Sequence, residues 1–439
     1  MDQTVASGTE RLWAELGGDP GLLRRVEYRG PSGLLAARLP VMDLARATVA
    51  VAGLAAVERA GLPGPVRVDD GAVATAFVSE RHLRVGGREP LTFAPLSRFW
   101  PAADGWVRTH ANYPHHRRAL LDALGAADTL LDPQGAVGAV GAAIAERTAA
   151  EVESAVYAAG GLAVAVRTPQ AWAAHEQGRE VSARPLLTRE RLDDAPPRRR
   201  SGPLRVLDLT RVIAGPVATR TLALLGADVL RIDPPARPEL PDQHADGNVG
   251  KRTAALDLDR PSDRRTFDEL LDAADVLVTG YRPGALDRFD PHRPGLVVAR
   301  LSAWGEYGPW RERRGFDSLV QAATGIAVTE GSEREPGALP AQALDHGSGY
   351  LLAAAVLRSL TEQDRDGGTR LVRLALAQTG HWLTHTLPRY DPAGHLTETD
   401  GPLGRLRHAL SPVAYEGGPA GWSRPPGLPG ADAPAWLTA

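Results

Sequence analysis

The 439-residue sequence contains no cysteine. That excludes disulfides, thiolate catalysis, iron–sulfur clusters and cysteine-ligated zinc. Lysine is nearly absent as well: Lys251 is the only one, so every other basic residue is arginine. Neither sign of charge dominates, with 50 basic residues against 53 acidic ones. No broad basic field is available to attract nucleic acid or an anionic membrane, although a local arginine cluster can still hold a small anion. No apolar run approaches the length of a membrane span. The N-terminal stretch MDQTVASGTERLWAEL has neither the basic start nor the apolar core of a secretion signal. These absences lead to the expectation of a cytoplasmic protein without nucleic-acid or membrane partners.

What is present is enough hydrophobic residue, 43%, for two or three domains with their own cores. The clearest boundary is Asp194-Ala-Pro-Pro-Arg-Arg-Arg-Ser-Gly-Pro203, where proline, glycine and like charges read as a linker. After it the pattern changes. A short apolar run, 204–209, ends in the turn Ala214-Gly215-Pro216; a helical stretch follows and stops at Gly226; 228–233 reads as a second strand. Strand, helix and strand within thirty residues form a βαβ unit. Further strands are expected at 275–279 and 295–302, with helices at 263–274 and 316–325, which gives a doubly wound α/β domain. The N-terminal half is less regular: an apolar helix at 49–60, strands near 105–109 and 161–166, and helices at 115–125 and 136–159 suggest a smaller α+β domain.

An internal repeat is visible. VMDLARATVAVAGLAAVERA (41–60) aligns with ALDHGSGYLLAAAVLRSLTE (343–362), and each segment places an aspartate, Asp43 or Asp345, before a long alanine-rich helix. Both are followed by a glycine-containing loop, a short strand and another helix. A nicotinamide-binding reading fails, because the first βα turn is Val212-Ile-Ala-Gly-Pro-Val-Ala-Thr219 and not G-x-G-x-x-G.

Six blocks carry a family resemblance. The stretch 204–235 is followed in order by Asn248-Val-Gly-Lys-Arg252 with Ala255-Leu-Asp-Leu258, then Tyr281-Arg-Pro-Gly-Ala-Leu-Asp-Arg288, Ser302-Ala-Trp-Gly-Glu-Tyr-Gly-Pro309, Arg314-Gly-Phe-Asp317 and Gln321-Ala-Ala-Thr-Gly325. Together they resemble the family III CoA-transferases, the carnitine/bile-acid CoA-transferase group. Gly86-Gly-Arg-Glu-Pro90, Ala102-Ala-Asp-Gly-Trp-Val107 and Val166-Arg-Thr-Pro169 resemble that family's later region, and Leu410-Ser-Pro-Val-Ala-Tyr415 its return to the large domain. The chain therefore reads as two incomplete copies that together supply about one unit in rearranged order.

The resemblance implies a Rossmann-like large domain plus a smaller α+β domain. The expected division is a partial repeat at 1–85, a small domain at 86–193, a linker at 194–203, a CoA-binding domain carrying the nucleophile at 204–390 and a return segment at 391–439. It implies a CoA-transferase acting on acyl-CoA and carboxylate small molecules, in homodimers, with coenzyme A as substrate and product and no permanently bound cofactor or metal. Asp345 matches the family's nucleophile, although an aspartate before a helix also serves as a plain N-cap. Arg211, Val212 and Ala214 match a CoA-contacting turn. Tyr281 and Arg288 match groups near adenine and phosphates, and Lys251 and Arg252 are further candidates. Oxyanion donors are sought near Gly347 or in the Gly86-Gly87 loop. Gly280 and Pro234 depart from the family pattern at positions for CoA. A 2-methylacyl-CoA racemase on the same scaffold is the first alternative, but its histidine position holds Phe316. A catalytically inactive CoA-binding member is the second. His346 stays open between a first-turn polar residue and a catalytic one, and His110, His115 and His116 are expected at the surface.

Overall fold

The computed structural model describes residues 3–127, 133–198, 202–289, 292–383 and 392–437. Its centre is a seven-stranded sheet. In spatial order the strands are Arg252–Ala255, Asp228–Asp233, Arg205–Leu209, Val276–Thr279, Val297–Ser302 and Arg370–Ala375, all parallel, with Leu187–Arg191 antiparallel at the edge. These strands read as near-continuous apolar runs because both faces are covered. Val206, Val229, Val276 and Val297 face a core that contains the helices Ala214–Leu224, Val41–Ala60 and Ala343–Asp366. Leu207, Leu230, Leu277 and Val298 face the opposite core, with Leu270 and Leu271 of helix Pro261–Ala273. The alternation is the period of two that a pleated strand imposes.

The strand Leu187–Arg191 corrects the sequence division, which ended the small domain at 193. Its residues 187–191 pair with 370–374, so the segment before the linker is the edge of the large sheet. Part of the linker itself, 199–201, lies outside the described residues, as does residue 391 at the start of the return segment. A separate three-stranded antiparallel sheet, Phe99–Pro101, Trp106–Thr109 and Ala163–Ala165, packs with helices Pro114–Leu124, Pro133–Ala145 and Ala149–Ala158 around its own core of Leu120, Val140, Ile144 and Val152. The last two helices replace the single helix expected at 136–159. Thr148 and Glu151 form a capping box that starts a new helix at Ala149.

The two alanine-rich helices lie against each other. Helix Val41–Ala60 is buried almost all round, as a helix without a polar face must be. It connects the parallel strands Val26–Arg29 and Val66–Asp69, and Asp70–Ala76 is the next helix. Helix Ala343–Asp366 precedes strand Arg370–Ala375, whose parallel neighbour is Val297–Ser302, and Leu376–Trp382 is the next helix. Neither aspartate is the N-cap expected from sequence. The caps are Pro40 and Gln342, and Asp43 and Asp345 each stand third in their helix. Both helices begin three residues earlier than an aspartate cap would require.

Hairpin Leu396–Gly401 with Gly404–Ala409 pairs with Arg84–Val85, and Ala414–Tyr415 pairs with Val66–Asp69. Near the C-terminus, Asp432 exchanges hydrogen bonds with Thr253 and so covers the edge strand Arg252–Ala255.

Candidate active site

Strand order reverses between Arg205–Leu209 and Val276–Thr279, because the chain runs to one side of the first strand and then to the other. A crevice opens beyond the carboxyl ends of the strands at such a point. Here it is a cavity of about 650 Å3, lined among others by Leu209, Ile232, Tyr281, Ser302 and Asp345.

The turn after the first strand is built from buried charge. Asp208 accepts from the Thr210 backbone N–H at 2.9 Å, from Thr219 Oγ1 at 2.6 Å and from Lys251 Nζ at 2.8 Å. Beyond it, Val212 has φ +69, a left-handed conformation that a β-branched side chain disfavours. Such strain costs on the order of 1–3 kcal/mol and persists only where neighbours hold it. The holder is Glu239, which accepts from the Val212 N–H at 2.9 Å. Burial alone would raise the Glu239 carboxyl. Arg231 at 3.2 Å and Arg211 at 3.5 Å outweigh that and pull it down to about 2.

Asp345 is 5% exposed and lines this cavity and a second, smaller one. Its carboxyl is pushed well above the ordinary carboxylate range, first by burial and then by the nearby Asp317 and Glu80 carboxylates. Asp317, wholly buried, accepts from the Asp345 N–H at 2.9 Å and from the Gln321 amide. Burial raises Asp317 to about 6. Asp317 has these donors to support its charge, whereas Asp345 faces like charge, so Asp345 is the more basic of the two. Such a desolvated carboxylate is a strong nucleophile once ionised.

The smaller cavity, about 160 Å3, lies on the side facing the N-terminal half, with Glu80, Phe93, His110, Ile213, Phe316 and Asp345 in its wall. Glu80 Oε2 lies 3.2 Å from His346 Nε2, and His346 is wholly buried against the ring of Phe77. The open question about His346 thus narrows: it is a core residue paired with a carboxylate from the other half of the chain.

Arg211, Val212, Ala214, Tyr281 and Arg288 all line the large cavity with Asp345. Arg211 has already committed its guanidinium to the carbonyls of Arg237 and Pro238. Arg288 is exposed and paired to Asp259 at 2.8 Å. Gly280 and Pro234 line the cavity too. Five candidates fall away from it. Lys251 has no exposed surface and spends its ammonium on Asp208 and Thr219, with burial lowering it to about 8. Arg252 Nη2 donates to both oxygens of Asp228, at 2.6 and 2.7 Å, and its Nε donates to Oδ1 at 3.0 Å. Gly86 and Gly87 form a turn held by the Gly86 N–H to Arg405 carbonyl bond and line neither cavity, and neither does Gly347.

The expectation of surface histidines is corrected for two of three. His110 and His116 are each 4% exposed, and only His115 is at the surface. The His110 ring stacks on Phe316 with centroids 3.9 Å apart. Sequence reasoning also missed Arg237, Arg282 and Arg314 at the mouth of the large cavity. Among the described residues none of the three has an ion pair, and burial together with the other two cations lowers Arg314. Arg282 and Arg314 sat inside blocks quoted above, as did Asp317; Arg237 and Glu80 sat in none.

Comparison with known proteins bears on this arrangement. Residues 203–416 match the model of CoA-transferase family III. The acetyl-coenzyme A transferase nodX of Hypoxylon pulicicidum is 35% identical over 232 residues, covering 49% of this chain and 39% of that protein. The probable fatty acyl-CoA transferase Rv3272 of Mycobacterium tuberculosis is 33% identical over 196 residues, 39% of this chain and 49% of that one. The formyl-CoA:oxalate CoA-transferase of Streptomyces avermitilis is 32% identical over 192 residues, 39% and 47%. The chain spans half or less of the length of these relatives.

Proposed function

Through residues 203–416 the chain belongs to CoA-transferase family III, and from that premise we propose that it moves coenzyme A from an acyl-CoA to a free carboxylate with Asp345 as the nucleophile. The observation that carries this reading is a buried, unusually basic carboxylate where two cavities meet, at the reversal point of a parallel sheet. We read the sheet as Rossmann-like, since its six parallel strands follow the doubly wound order 3-2-1-4-5-6, and the antiparallel unit around 99–165 as the smaller domain. The matching helix–strand–helix order from Asp43 and from Asp345 onward supports a duplication.

The large cavity suits coenzyme A. Arg237, Arg282 and Arg314 offer forked donors to its phosphates. Tyr281 offers an aromatic face, and Val212 of the Arg211–Ala214 turn lines both cavities with Asp345. An oxygen of Asp345 attacks the thioester carbonyl; the C–S bond breaks, leaving a mixed anhydride and CoA thiolate. The thiolate attacks Cγ of Asp345, the first acyl group leaves as its carboxylate, and an aspartyl-CoA thioester remains. The acceptor carboxylate attacks that thioester and expels thiolate, which then takes the acceptor's acyl group and frees Asp345. Each bond exchanged is of similar energy, so no nucleotide hydrolysis or metal enters the scheme.

Incubation with acyl-CoA and hydroxylamine tests it: aspartyl hydroxamate should form at position 345, and its absence alongside active CoA exchange would refute the covalent route. The racemase reading has one favourable observation, the His110 imidazole stacked on Phe316 near Asp345. Burial, and then Arg108, lower His110 to about 3, too weak a base for an α-proton. No deuterium should therefore enter C2 of a 2-methylacyl-CoA in heavy water; uptake at the turnover rate would restore the racemase. A catalytically inactive binder would give neither hydroxamate nor exchange. Homodimers are proposed from the family resemblance alone, and light scattering showing a monomer would remove them. Among the described residues no helix is long and apolar enough to cross a membrane.

A further inference from the structure

The small chamber has properties the family reading does not assign. It shares Val212, Phe316 and Asp345 with the large cavity, so a thioester whose CoA lies in the large cavity can direct its acyl group into the small one. Much of the remaining wall comes from the N-terminal half: Glu80, Arg81, Thr92, Phe93 and His110. At about 160 Å3 it has room for roughly five water-sized groups.

Its chemistry is selective. Phe93, Ile213 and Phe316 supply apolar surface. Glu80 and Asp345 are carboxylates, and Arg81, the one cation in the wall among the described residues, lies 3.6 Å from Glu80. A second carboxylate on the acyl group would meet like charge. His110 is 4% exposed, and its Nδ1 has no hydrogen-bond partner among the described residues. A buried polar atom left unpaired costs about 1–3 kcal/mol, so a flip of the imidazole within its stacking plane that brings this nitrogen to a ligand oxygen in the chamber is favoured. The ring cannot turn away freely, because Phe316 stacks on it and Phe93 meets it edge-on.

We propose that this chamber is the acyl subsite and that His110 makes it select a short, uncharged acyl group bearing a hydroxyl or keto oxygen. The inference rests on the transferase reading for its chemistry but not for its binding preference, and the two are separable. Butyryl-, 3-hydroxybutyryl-, succinyl- and palmitoyl-CoA are compared by titration calorimetry and by CoA exchange to acetate. The 3-hydroxybutyryl thioester should bind and turn over about tenfold better than the butyryl one, the scale of one hydrogen bond. Succinyl- and palmitoyl-CoA should fall below both. His110→Phe keeps the stack on Phe316 and should erase the hydroxyl preference, the ratio of 3-hydroxybutyryl- to butyryl-CoA binding falling from about ten to about one; an unchanged circular dichroism spectrum and a cooperative melt show that the variant is folded. A hydroxyl preference in binding without exchange of any thioester would sink the transferase reading and leave the subsite standing. Exchange with succinyl- or palmitoyl-CoA preferred, or a hydroxyl preference untouched by His110→Phe, would overturn the subsite.

Discussion

The two alanine-rich helices are near twins with opposite surroundings. Asp43 and Asp345 stand at the same position in their helices, each before a parallel strand and a further helix. Around Asp345 the neighbouring charges are negative: Asp317 and Glu80 drive its carboxyl up. Around Asp43 a cation stands close, since Arg46, one turn on, carries its own pairing to Asp70 and is raised by Asp43 as well. Asp345 opens onto two cavities; Asp43 lines neither. Leu44 follows Asp43, and its side chain would lie 3.1 Å from a Cβ placed on Gly347. So the first helix fills the space that the second leaves open. The reactivity proposed for Asp345 rests on the field and the void around it, not on the helix position that it shares with Asp43.

The sharpest way to break that contrast is substitution. Asp345→Ala should abolish CoA exchange, at least about 10⁴-fold, because the neighbouring carboxylates are occupied, Asp317 wholly buried and Glu80 paired to His346 and Arg81. Asp43→Ala should retain exchange and cost only about 0.3–1 kcal/mol, the worth of a first-turn carboxylate in a helix dipole; paired denaturation and exchange assays on both variants decide it. An active Asp345→Ala with a dead Asp43→Ala would reverse the assignment. Next in size is Glu239→Gln. It leaves Arg231 short of a buried partner and frees the strained Val212, so unfolding free energy should fall by about 3–5 kcal/mol in denaturant titration. The first-half helix ends instead at a surface pair, Arg59–Asp364, and a matching loss there would contradict the reading.

The smallest effect is also the most specific. A carboxyl with a raised native pKa holds its proton more tightly folded than unfolded. Stability then falls as pH rises from about 4 toward the raised value. Asp345→Asn removes that loss, so its melting temperature should exceed the parent's at pH 8 and converge with it near pH 4. Asp43→Asn, beside a cation, should show no such gain. A pH-independent difference at position 345 would mean that its carboxyl is not strained electrostatically.

Much of this was legible in the sequence for a local reason. The strand 228–233 is short, carries Val229, Leu230 and Ile232 and is bounded by Gly226 and Pro234, and the structure returns the same residues. Asp345 announced itself through the repeat and the blocks before it. The errors share a different cause. His110 lies in the polar-looking stretch HANYPHH, and what buries it is Phe316, two hundred residues later. Glu80 reads as one charge in Ser79–His82, yet its partner is His346. Lys251 looked like a phosphate ligand because a lone cation invites one; its partner, Asp208, is hidden inside an apolar strand. Contacts between the halves of the chain leave no period or spacing to detect.

That lone lysine has a practical consequence. In a folded molecule, amine-reactive reagents meet no lysine on the surface, because Lys251 sits at 0% exposure beneath the sheet's reversal point. Acylation at position 251 would then act as a clock for opening of the sheet, read at a single atom by mass spectrometry. Its rate would report the native-state opening of the structure that shapes the cavity, undisturbed by any competing side chain of the same kind.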